Sequence, residues 1–182
     1  MTDFEGDPFA LLAKERGAKT FGFLNVGDAV GGVVLGGKVE QDRKYEMRNP
    51  GNGALLFWDA EKRGTVTEVA EGNEPVLYTT TYVQAYEATE DDDGRRAIRA
   101  NKPRMKEAIQ KATASAGARI VSVGGFLWVC HNVAIPSRSG GNAAKGFTAR
   151  YWTPKQVAQG EVPEDLGTVA AVDKKDEDNP FA

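Results

Sequence analysis

Between segments rich in β-branched and aromatic residues, this chain carries one stretch with a helical apolar period. That single interruption limits the folds open to it. Met105, Ile109, Ala112 and Ala116 recur three and four residues apart, which places them on one face of a helix and leaves the lysines and arginines between them in water. Asn101 is suited to cap the N-terminus, Pro103 is tolerated in the first turn, and Gly117 supplies the stop. A helix over about 101–116 is expected.

Strand signals lie on both sides of it. Ala29 to Gln41 reads as one long strand, and Gly31-Gly32 and Gly36-Gly37 within it predict a bulge or a tight bend. The Asn49-Pro-Gly-Asn-Gly53 turn leads into a short apolar strand, Ala54 to Asp59, and Thr65 to Val69 reads as part of a hairpin. Val76 to Tyr86 is the clearest strand, with Tyr78, Tyr82 and Tyr86 on one face by period-two counting. Arg95 to Ala100 returns as a strand, and Phe126 to Ile135 and Phe147 to Thr153 follow the helix. Three major strands, a helix, then two more strands is the order of an all-β fold with one helix, the five-stranded Greek-key oligonucleotide-binding (OB) barrel. A β-sandwich would not be expected to insert such a helix. The barrel is expected over 24–154, after a leader at 1–23 with a short helix near its middle. From 155 to 182 large apolar residues thin out, and a disordered acidic tail is expected.

Charge is unevenly distributed. Residues 155–182 hold seven acids against three lysines, a net of −4, which leaves the body at +1 out of a whole-chain −3. Much of the body's acid sits in Glu90-Asp-Asp-Asp93, so its remainder is basic enough to follow a phosphate backbone. The one cysteine, Cys130, lies in an apolar run and reads as a buried thiol in a reducing compartment. The N-terminal acids do not suit a signal peptide, and no apolar run reaches membrane-spanning length. A cytoplasmic protein without membrane contact is expected.

Catalytic signatures are weak. His131 is the only histidine, and alternation puts it on the opposite strand face from Cys130. Asp91-Asp-Asp-Gly94 lacks the spacing of a calcium loop, and neither glycine pair is followed by the Lys-Ser/Thr of a phosphate loop. No enzyme activity, metal or cofactor is expected. The aromatic and basic residues fit single-strand binding better, because stacking on a ring needs no sequence code and a basic groove holds the backbone. The candidates are Trp58, Tyr78, Tyr82, Tyr86, Trp128 and Trp152 for stacking. Arg95, Arg96, Arg99, Lys102, Arg104, Arg138, Lys145 and Arg150 are the candidates for phosphate. Trp58, Phe126 and Phe147 could equally fill the core. Tyr151 and Trp152 are adjacent on one strand, so at most one of them can be core.

Several motifs occur together in a characteristic order. They are Gly27-Asp-Ala-Val-Gly-Gly-Val-Val34, Phe57-Trp-Asp59, the Tyr78–Tyr86 strand, Glu90-Asp-Asp-Asp-Gly-Arg-Arg96, Ala116-Gly-Ala118, Val123-Gly-Gly125 and Tyr151-Trp-Thr-Pro154. Over about 24–154 this order resembles single-stranded DNA-binding proteins encoded by tailed phages of actinobacteria. The resemblance implies an OB barrel that coats single strands during replication or recombination in the host cytoplasm. The tail resembles the acidic tip of bacterial single-stranded DNA-binding proteins, which implies docking of host or phage replication and repair proteins. Asp176, Glu177, Asp178, Pro180 and Phe181 would form that motif, although Ala182 displaces the terminal carboxylate by one residue. A homo-oligomer is expected. The rival expectation is an OB barrel used for protein interaction or virion assembly without nucleic acid.

Overall fold

The computed structural model describes residues 18–44, 53–136 and 143–167. Nine strands are present among them: β1 (Lys19–Thr20), β2 (Ala29–Gln41), β3 (Phe57–Asp59), β4 (Gly64–Val66), β5 (Glu74–Pro75), β6 (Leu77–Gln84), β7 (Arg95–Arg99), β8 (Phe126–Ile135) and β9 (Ala144–Trp152). Helix α1 (Pro103–Ser115) lies between β7 and β8, and a short α2 (Pro154–Ala158) follows β9, with a 3-10 turn at Glu164–Gly167. Six strands form one mixed sheet in the order β1-β7-β6-β2-β8-β9, and β4-β3-β5 form a small second sheet.

The long strand β2 organises the main sheet. Its first half, Ala29 to Val33, pairs with β8, and its second half, Val33 to Gln41, pairs with β6. The register shifts between Val34 and Gly36, so the bend expected from the glycine pairs falls where the strand changes partner. Past its end the hairpin continues through Asp42 and Leu56, whose backbone groups bond Val76 and each other, into the small sheet.

One face of the main sheet is apolar and covered by α1. Val30, Val34, Val83, Ile98, Leu127, Val129 and Tyr151 form this core with Met105 and Ala112 of the helix. Leu127, Val129 and Val83 are wholly buried, each contributing about 1.5–3 kcal/mol by burial. Gly117, at φ +72°, ends α1 with the paired backbone bonds of a Schellman turn, Ala118 N–H to Thr113 O and Gly117 N–H to Ala114 O. The N-cap is Lys102, not Asn101, and its side chain makes no capping bond.

Three expectations need correction. The sheet is not a closed five-stranded barrel: among the described residues no ladder joins β9 to β7 or β1, and α1 packs against β9 instead. A sixth strand comes from the region read as leader, where Lys19 and Thr20 pair in parallel with Arg96 and Ala97, and Phe23 enters the core. A second helix stands where the tail was expected to begin. Thr153 caps α2 with a capping box to Gln156, a local hydrogen-bond signal that overrides the fall in apolar content. The short helix expected within the leader and the docking motif at 176–181 lie outside the described residues.

Candidate nucleic-acid interface

Strand pairing decides which candidates share a face, because directly paired residues project to the same side of a sheet. Leu127, Val129 and Tyr151 mark the core side, so Phe126, Trp128, Arg150 and Trp152 project from the other. The rungs agree: Phe126 pairs with Trp152, and Trp128 pairs with Arg150 and with Gly31. Across β2, Tyr82 pairs with Gly36 and Ala97, Thr80 with Lys38 and Arg99, and Gln84 with Val33 and Arg95. Tyr78 opposite Glu40 completes the row. Four predicted rings (Tyr78, Tyr82, Trp128, Trp152) and three predicted cations (Arg95, Arg99, Arg150) thus lie on the face turned away from α1.

The rings on β8 and β9 are held in place. Trp152 meets Phe126 edge-on, with centroids 5.9 Å apart. The Arg150 guanidinium lies over Trp128, 5.9 Å from its ring centre. Gly31 leaves the room these rings occupy, since a Cβ there would stand 2.8 Å from Trp128 Cδ1 and 3.1 Å from Phe126 Cε1. The indole N–H of Trp128 donates to the Leu166 carbonyl at 3.1 Å.

At the β6 end the face is more polar. Thr80 Oγ1 donates to Glu40 at 2.6 Å, and Lys38 pairs with Glu40 at 2.9 Å. Burial works to raise the Glu40 carboxyl, but the Thr80 hydroxyl, Lys38 and Arg99 together hold it below its ordinary value. Burial, reinforced by the Glu40 charge, raises the Tyr78 phenol.

Other candidates are placed elsewhere. Tyr86 does not join Tyr78 and Tyr82, because the N–H groups of both Ala85 and Tyr86 donate to the Gly94 carbonyl. Two residues against one is a β-bulge, which turns Tyr86 to the opposite side. There the Arg96 guanidinium sits 4.9 Å from its ring centre. Arg96 also makes two 2.9 Å bonds to the Asp92 carboxylate, so this cation is engaged in holding the hairpin. The Arg96 bond, followed by bonds from the Gly94 N–H and Lys19, holds the Asp92 carboxyl well below the usual carboxylate range. The acidic run at 90–93 is thus in part a structural anchor. Lys145 sits on the core side of β9 and donates to the Phe23 carbonyl. Trp58 is 45% exposed on the small sheet, and Lys102 and Arg104 are exposed at the start of α1. Arg138 lies outside the described residues.

Phe126 also belongs to the face, although its apolar run suggests only a core place for it. Its position two residues before Trp128, with Leu127 and Val129 alternating inward, was the available signal. Among the described residues no cluster of His, Cys, Asp and Glu could hold a metal ion, and no helix is long and apolar enough to cross a membrane.

No protein-family model, curated protein sequence or solved structure matches the chain.

Proposed function

We propose that the chain binds single-stranded DNA without sequence preference and coats it during replication or recombination, as a phage-type single-stranded DNA-binding protein without enzymatic activity. One observation carries this reading: Tyr78, Tyr82, Trp128 and Trp152 share a sheet face with Arg95, Arg99 and Arg150. Base stacking on such rings is worth about 1–3 kcal/mol each, and the guanidinium groups can track the backbone. The order β7-β6-β2-β8-β9, with α1 inserted between β7 and β8, supports an OB arrangement left open between β7 and β9. The acidic segment 173–178 would recruit replication or repair proteins of host or phage.

Titration of the tryptophan fluorescence with oligo-dT at several salt concentrations tests the proposal. Quenching with affinity falling by a slope of about −0.7 per phosphate contacted is the expected result. Salt-independent binding, or equal affinity for duplex, would count against it, and an oligo-U arm separates DNA from RNA preference.

A second reading, protein interaction through the same fold, is favoured by a different surface. A groove of about 580 Å³ runs between α1, β2 and β6, with Val39, Leu77, Ile120 and Val123 along it all exposed. A chain that binds no single strand yet elutes as a complex through this groove would support that alternative.

A further inference from the structure

The segment after α2 does not leave the body at the end of β9. Gly160, at φ +72°, closes α2 with the two bonds of a Schellman turn, Glu161 N–H to Gln156 O and Gly160 N–H to Val157 O, both 3.0 Å. The chain then passes to β2, which the Glu164–Gly167 turn contacts. Leu166 is half-buried there, and its carbonyl takes the hydrogen bond from Trp128 Nε1. Trp128 projects from the face opposite α1, between Gly31 and Arg150. Residues 161–167 therefore cross the face assigned to nucleic acid. They occupy the one polar group of its central indole, and they carry exposed Glu161 and Glu164.

We infer that residues 161–167 are an autoinhibitory strap that covers Trp128 in the free protein and is lifted when a single strand takes that ring. This rests on the function proposed above and concerns the regulation of the same site. A base stacking on Trp128 and the 3-10 turn compete for one surface, and the strap's carboxylates repel the phosphates that Arg150 attracts. The free protein is then partly in a binding-incompetent state, and the apparent affinity is reduced by the fraction of molecules so closed.

Hydrogen–deuterium exchange of the full chain, with and without saturating oligo-dT, reads this directly. The peptide spanning 159–167 should exchange faster with DNA while those of β8 and β9 slow. Slower or unchanged exchange in 159–167, alongside protection of β8 and β9, would overturn the strap and leave the binding function standing. No binding in the tryptophan titration and no change in any peptide would overturn the function and the strap with it. Gly160→Ala gives an independent arm, because among the described residues no atom lies within 4 Å of a Cβ added there and the positive φ is penalised. The variant should bind oligo-dT about two- to tenfold more tightly, the range of one net hydrogen bond. Unchanged or weaker binding by a variant that melts like the parent would overturn the proposal.

Discussion

Tyr151 and Trp152 are chain neighbours with opposite fates. Tyr151 is 5% exposed, packs in the core, and accepts the Ser122 N–H on its hydroxyl at 2.9 Å. Trp152 stands half-buried on the other side against Phe126. Tyr151→Ala should cost about 3–5 kcal/mol of stability, as large core truncations do, and this is measured by denaturant unfolding. Trp152→Ala should cost only about 1 kcal/mol, the worth of one aromatic pair. It should instead weaken oligo-dT binding by about 1–3 kcal/mol. A Trp152 variant that unfolds as easily as the Tyr151 variant would return that ring to the core. The separation of this pair was legible in the sequence, since alternation allows only one of two adjacent strand residues to face inward. The same rule separates Arg96 from Arg95 and Arg99, although the carboxylate that receives Arg96 could not be named from it. The fate of Lys145 had no local signal, because its acceptor lies at Phe23, far away in the chain.

Among elements, the hairpin between β6 and β7 departs most from its sequence reading. Period-two counting carried the tyrosine row through to Tyr86, but the bulge at Ala85 and Tyr86 reverses the alternation. A bulge set by one shared acceptor, the Gly94 carbonyl, leaves little trace in residue type. The element it creates is tied by Asp92, which joins Arg96 of β7, Lys19 of β1 and the Gly94 N–H. The Asp92 carboxyl titrates lower in the folded protein than in the unfolded chain. Its contribution is therefore present above the unfolded value of about 4 and is lost as pH falls through the folded one. Asp92→Asn should lower the melting temperature at pH 7, and the gap to the parent should narrow steadily as thermal scans move below about pH 4. A constant gap across that range would mean that the amide loses packing and not charge. Strand β1 escaped the sequence reading for a related reason. It spans two residues, too few for any period, and its parallel pairing depends on a partner 77 residues away.

At the scale of the whole molecule, the order of long strands and the helix was readable, because each has its own apolar period or glycine punctuation. Closure was not, since whether the first and last strands meet depends on how α1 and β9 share space. The molecule's single thiol, Cys130, is 2% exposed in β8 between Ala29 and Thr148. Burial, with the Asp28 charge behind it, raises that thiol above its ordinary value. By the alternation that places Trp128, Cys130 lies on the same face of the sheet, and a thiol reagent can reach it only when its neighbours move aside, so the rate of labelling is a native clock that counts those openings without any engineered probe. Oligo-dT at a hundredfold excess over its Kd should slow that clock about a hundredfold if opening releases the strand. Labelling that ignores the oligonucleotide would mean that β8 breathes while the strand stays bound.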